Sequence, residues 1–189
     1  MAASLLIACG LQEQKLPKHI HISEESSIDG SFLISSILGQ RVRVPNSKTL
    51  LVCLHQNFKH YLNAGLRLGY NLQMHNGKSL TVIDVVNDIG TQPISCKWLA
   101  DNPTETLYKA ICDELAKLQG SVTVIIDNLE GLMNLGASAQ DLYTLCVKLQ
   151  KFLKESSFES HTLATKLNNC NLFEMTDTNL EHLSELHLR

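Results

Sequence analysis

The run Val122-Thr123-Val124-Ile125-Ile126 consists entirely of β-branched residues and ends in an acid, Asp127. It is too short for a typical helix and has no polar alternation, so it predicts a strand covered on both faces, as in parallel sheets with helical crossovers. In nucleotide-binding folds of that kind an acid at this point holds magnesium, opposite a phosphate loop on an earlier strand-to-helix turn. The loop needs Gly-x-x-x-x-Gly-Lys followed by Ser or Thr. Its glycines let backbone N–H groups close on the phosphates, its lysine neutralises them, and its hydroxyl reaches the metal.

The turn in that position reads Glu25-Ser26-Ser27-Ile28-Asp29-Gly30-Ser31-Phe32. Gly30 fills the second glycine position, but Ser31 stands where the lysine belongs and Phe32 where the hydroxyl belongs. Glu25 and Asp29 would repel a triphosphate. The sequence predicts an ATPase-type fold with weak nucleotide binding, or none, by this chain alone. Ser26, Ser27, Gly30 and Ser31 can still offer N–H groups at a helix N-terminus. With Asp127 they form the candidate cofactor-binding set, and no catalytic residue or metal ligand is assigned. Asp127 reads first as an acid capping the next helix and second as a magnesium ligand.

Further strands are predicted at Lys18 to Ser23, Thr49 to Leu54, Leu80 to Asp84 and Thr162 to Leu167, with an edge strand at Ser184 to Leu188. Helices are predicted from Ser31 to Leu38, stopped by Gly39; from Asn57 to Leu68, with Gly65 and Gly69 leaving a smooth place; from Asn102 onward; and from Ser138 to Leu153. Asn102, Pro103 and Glu105 carry the signature of a capping box. Residues 85–101 read as irregular, 154–160 as a flexible loop or a place where residues are missing, and Asn168 to Asn171 as a loop. Strands alternating with helices imply an α/β fold, a mostly parallel central sheet with helices on both faces. The carboxyl ends of its strands would bring the Glu25 to Ser31 turn and Asp127 together.

A chain of 189 residues suits one domain, burying roughly 70% of its unfolded surface. Residues 1–17 read as a short helix, stopped at Gly10, and a linker. The formal charge of -3 excludes a strongly basic nucleic-acid binder. Lys15, Lys18, Arg41, Arg43, Lys48, Lys59, Arg67, Lys78 and Lys97 read as solvated surface. The six cysteines, Cys9, Cys53, Cys96, Cys112, Cys146 and Cys170, include no Cys-x-x-Cys pair. They read as reduced thiols of a cytosolic or nuclear protein. The apolar start is shorter than the ~20 residues of a membrane span. His19 and His21 share a strand face, as a metal pair would, but no third ligand has suitable spacing, so they read as ordinary residues of a partly exposed strand. Gln56 to Tyr61 offers polar and aromatic groups to a neighbouring subunit or RNA, although Phe58 and Tyr61 fall at core spacing.

Three blocks resemble the Elongator complex protein 6 family: Asp29-Gly30-Ser31-Phe32-Leu33; Leu54-His55-Gln56-Asn57-Phe58-Lys59-His60-Tyr61 running on to Gly65, Leu68 and Gly69; and Ile126-Asp127-Asn128-Leu129 with Leu132, Leu135 and Gly136. The middle block is the most specific. The resemblance implies a RecA-like domain without a regular phosphate loop, a non-catalytic accessory subunit of Elongator. It implies a hetero-hexameric ring with two paralogous RecA-like subunits, association with the catalytic Elongator subcomplex, and tRNA binding by the assembled ring in support of wobble-uridine (U34) modification. ATP could enter only at subunit interfaces, and further strands are implied beyond Arg189. The Asn57 to Leu68 and Ser138 to Leu153 helices are the expected ring contacts, which would leave the isolated chain poorly soluble. The alternative is an independent P-loop-like ATPase or kinase with a degenerate loop. A small hydrolase or redox enzyme would need a Gly-x-Ser-x-Gly elbow or paired cysteines, and neither occurs.

Overall fold

The computed structural model describes residues 6–11, 16–25, 30–92, 96–99, 102–169 and 173–189. Six parallel strands, β1 (His19–Glu25), β2 (Ser47–Cys53), β3 (Leu80–Asp84), β4 (Ser121–Ile126), β5 (Ser160–Asn169) and β6 (Leu186–Leu188), lie in the order β3-β2-β4-β5-β1-β6. Among the described residues, seven α-helices accompany them: α1 (Ser31–Arg41), α2 (Phe58–Arg67), α3 (Val85–Thr91), α4 (Pro103–Leu115), α5 (Glu130–Met133), α6 (Ala139–Glu155) and α7 (Glu174–Leu183).

Alternation along the strands divides the core. Leu50, Val52, Val122, Val124 and Leu163 point to a layer built with Trp98, Leu107, Ile111, Leu142, Leu149 and Leu180 from α4, α6, α7 and the turn after α3. Leu51, Cys53, Ile125, Ala164, Ile20 and Ile22 point the other way, onto Ile34, Ile37 and Leu38 of α1, Tyr61 of α2, and Leu6 and Leu11. Each central strand thus buries both faces, which is why its sequence shows an apolar run without polar alternation. A helical turn over residues 6–8 ends at Gly10, φ 71°.

Several boundaries differ from the sequence reading, each for a local reason. α1 runs through Gly39 to Arg41 because the Tyr70 ring occupies the space a Cβ would take, 2.3 Å from its ideal position. Gly65 faces the opposite edge of that ring, where a Cβ would lie 2.8 Å away, so the smooth place on α2 is filled from inside and not offered to a partner. Tyr70 also donates its hydroxyl to Ser35 O at 2.5 Å. Arg41 is buried, with Nε on Thr123 Oγ1 and a terminal nitrogen on Ser47 Oγ.

Residues 85–91 form α3, opened by Asp84, whose carboxylate accepts from Asn87 N–H at 3.0 Å. Asn102 caps α4 through Glu105 N–H, but the Glu105 carboxylate reaches Lys148 on α6 instead of returning to the cap. Residues 156–159 make a short connection from α6 to β5, with Glu159 N–H bonded to Gly120 O. β5 continues through Asn168 and Asn169. Substituting Gly39 by Ala should push the Tyr70 ring out of its slot and cost about 1–3 kcal/mol. Denaturant unfolding checks this, with Gly90→Ala, where no atom lies within 4 Å, as the matched control.

Candidate functional site

β4 and β1 are not neighbours; β5 lies between them. Both ends lie on the carboxyl edge of the parallel sheet, with the end of β5 between them.

Asp127 follows β4 and is 1% exposed. Its Oδ1 accepts from Leu54 N–H (2.7 Å) and His55 N–H (3.1 Å), and its Oδ2 from Gln56 N–H (3.0 Å) and the Tyr61 hydroxyl (3.1 Å). Burial pushes this carboxyl up, while the four donors pull against it. An ionised carboxylate offers about four acceptor sites, and all are taken by the protein. The acid thus caps not the helix that follows it but the turn leading from β2 into α2. Asp84, at the end of β3, adds its Oδ2 to Phe58 N–H at 2.7 Å, and Asn57 caps α2 through His60 N–H at 3.0 Å. Gly131 lets the β4–α5 turn approach the same place, since a Cβ there would lie 2.4 Å from Leu54 O.

The Leu54 to Tyr61 block is therefore a turn whose amide hydrogens are claimed by side chains of neighbouring strands. Tyr61 belongs to the core and Phe58 packs against it. His55, Asn57, Lys59 and His60 remain exposed. Cys53 lies between Asp127 and Asp84, and burial together with both acids pushes its thiol up, out of reactive range.

At the other strand end, Gly30 is the N-cap of α1 and Ser31 its first residue; Ser26, Ser27 and Asp29 lie outside the described residues. The cation that reaches this helix start comes from β5, which the sequence reading missed as a site. Lys166, 2% exposed, forms an ion pair with Glu24 and lies 3.4 Å from Ser31 Oγ. Its signal was a lone lysine inside Leu163-Ala164-Thr165-Lys166-Leu167, where burial demands a partner. Glu24 supplies the negative charge a phosphate would bring. The groove beside it, lined by Ile22, Glu24, Glu25, Phe32, Leu33 and Leu188, holds about 190 Å³, below the roughly 300 Å³ lower end of ligand pockets. The described residues do not fit magnesium ATP: the acid is filled, the lysine is paired, and two carboxylates line the groove.

His19 and His21 are 1% and 0% exposed, not on a partly exposed strand. They meet through Thr165, whose Oγ1 is 3.0 Å from His19 Nε2 and from His21 Nδ1. The hydrogens run in one direction. Gln150 Nε2 also reaches Leu183 O, so it donates to His19 Nδ1 at 2.6 Å. His19 Nε2–H then donates to Thr165, Thr165 donates to His21 Nδ1, and His21 Nε2–H donates to Asp177 on α7 at 2.9 Å.

The His19 ring is neutral in this arrangement, and no group of three metal-binding side chains occurs among the described residues. Burial, then the neighbouring His21, pull His19 from 6.5 down to about 4, opposed by the Leu183 carbonyl. Asp177 sits below its ordinary value: burial raises it, but the bonds from His21 and Ser23 outweigh that. Ser23, His187 and Glu181 follow one another like a nucleophile triad, with Ser23 Oγ 2.7 Å from His187 Nε2 and His187 Nδ1 3.0 Å from Glu181. Ser23 is 4% exposed and donates its proton to Asp177, so it has neither a base nor access to substrate.

The described cysteines are all free thiols. Among the described residues no helix is long and apolar enough to cross a membrane.

Replacing Asp127 by Asn puts an amide N–H₂ against donors that need an acceptor. It should cost about 3 kcal/mol in denaturant unfolding without added metal, whereas a carboxylate kept for magnesium would tolerate the change. A base whose folded value is depressed weakens the fold as acid is added. The His19 contribution is complete above about 6.5 and is lost toward about 4, a loss of about 3 kcal/mol. Urea titrations across that range should show a shallower pH slope for His19→Gln than for the parent chain, and equal slopes would contradict the neutral assignment.

No protein-family model matches the chain. Its fold is similar to that of a KaiC-like protein from the hyperthermophilic archaeon Pyrococcus horikoshii OT3, with a TM-score of 0.55 over 84% of this chain and 69% of that one, at 11% identity. That likeness supports the RecA-like assignment of the helix-covered parallel sheet. In sequence it is 45% identical over 196 aligned positions to Elongator complex protein 6 of Drosophila melanogaster, covering 100% of this chain and 77% of that protein. With identity of this level along its whole length, and with the turn clasped by Asp127 at the centre of its most specific block, the chain belongs to the Elongator complex protein 6 family.

Proposed function

We propose that this chain is a non-catalytic, RecA-like accessory subunit of Elongator. In this reading it assembles with two paralogous RecA-like subunits into a hexameric ring containing two copies of each, and the ring joins the catalytic Elongator subcomplex. The assembled ring binds tRNA and supports modification of its wobble uridine, while the radical and acetyl-transfer chemistry belongs to another subunit. The setting is the cytosol, with the nucleus as a second compartment.

The observation that carries the non-catalytic part is the filling of Asp127. An acid that accepts three backbone N–H groups and a tyrosine hydroxyl has no place left for a metal-bound water. The Lys166–Glu24 pair supports the same conclusion at the phosphate end, because a lysine already neutralised inside the protein gains little from an entering anion. Any ATP would be held between subunits, by groups that a neighbour supplies. An independent ATPase or kinase of this fold is disfavoured on the same ground.

Affinity purification of the tagged chain with mass spectrometry of its companions tests the assembly. Two further RecA-like chains in equal amounts are expected. Recovery of the chain alone, stable and monodisperse, would contradict an obligate ring. RNA binding by the recovered assembly should weaken steeply with salt, because phosphate contacts release counterions.

A further inference from the structure

The histidine chain has a second branch that the proposed function does not use. Ser23 has a single hydroxyl proton, and Asp177 takes it: Ser23 Oγ lies 2.7 and 2.8 Å from the two carboxylate oxygens. The Ser23 oxygen must then accept from His187, so His187 Nε2, at 2.7 Å, carries a hydrogen. On the other side of the ring, Nδ1 faces Glu181 Oε1 at 3.0 Å. A carboxylate only accepts, so Nδ1 must carry a hydrogen too. The two contacts are satisfied together only by the imidazolium, and removing one proton leaves a lone pair facing an oxygen.

We propose that His187 is a proton-gated clasp that ties β6 to β1 through Ser23 and to α7 through Glu181, holding the strand when protonated and loosening it when neutral. β6 has three residues and pairs only with β1 among the described strands, through Ile20↔Leu186, His21↔His187 and Ile22↔Leu188. With so short a ladder, two charge-assisted side-chain bonds are a large share of what fixes it. Side-chain exposure is 16% for His187 and 43% for Glu181, so protons exchange with solvent here, whereas His21 is closed off at 0%.

The groups facing the clasp are consistent with one charge. From β1, the His21 ring stacks on His187 at 5.8 Å between centroids, and Ser23 bonds to it. From α7, Asp177 and Glu181 supply negative charge on either side. Glu25 is directed to Arg189 at 3.8 Å, and Glu185 accepts from Lys18 N–H at 2.7 Å. A base that gains a partner in the folded state stabilises at low pH, and that stabilisation is lost as pH rises through its titration. The clasp should therefore loosen as pH rises.

Amide hydrogen exchange of residues 186–188, expressed as protection factors so that the intrinsic pH dependence cancels, reads the clasp directly. On the full chain, protection should fall about fivefold between about pH 6 and about pH 8, a charge-assisted bond discounted for its exposure. Residues 122–126 of β4 should not change in parallel. His187→Gln and Glu181→Gln should each make β6 protection low and independent of pH. Glu181 lies on the surface, so its variant keeps the fold and the test valid if the His187 variant does not. Equal protection at both pH values in the parent chain, or a pH dependence that survives in either variant, would overturn the clasp.

Discussion

A single carboxylate organises the catalytic-looking end of this sheet. Asp127 draws together the backbone of Leu54, His55 and Gln56 and the hydroxyl of Tyr61, fastening the turn after β2 to the end of β4. Without that acceptor, buried amide hydrogens at the carboxyl edge would lose their partners, each at a cost of about 1–3 kcal/mol. Gly131 and Asp84 make sense as parts of the same device, one allowing close approach to Leu54 and the other holding Phe58. An acid placed where a nucleotide-binding fold would hold a metal is committed to the chain itself.

The same economy recurs at the other strand end. Glu24 sits beside a lysine delivered by β5, and the anion that a phosphate loop would import is built into the strand. Asp127 and Lys166 are thus each met by groups of the chain itself. Between and beside them, the face of β1 toward α7 carries His19, His21 and Ser23 in place of aliphatic residues, satisfied end to end by Gln150, Thr165, Asp177 and His187. A buried polar chain of this kind fixes the position of α7 more specifically than apolar contact would, because each hydrogen has one place to go.

The parallel sheet was legible where both faces are apolar. Thr49 to Leu54 and Val122 to Ile126 could be little else, and Asn102 before Pro103 marked the start of α4 correctly. What escaped was structure whose buried side is polar. α7 carries Thr176 and Asp177 inward, so its periodicity is hidden from any reading based on hydrophobic spacing. β1 looked partly exposed for the same reason, since alternating His and Ile mimics a half-solvated strand. Gly39 read as a stop because the ring that needs its missing Cβ, Tyr70, lies far away in the sequence. In the candidate set, Asp127 could be found from its strand, but its donors could not, because three of them are backbone amides that carry no residue signature.

The most direct test of this account follows the amide resonances of Leu54, His55 and Gln56 in the intact chain while magnesium ATP is added to millimolar concentration. If Asp127 is a fastener, those three signals keep their positions, because the carboxylate never leaves them. Saturable movement of all three together, as the carboxylate turns toward a bound metal, would contradict it.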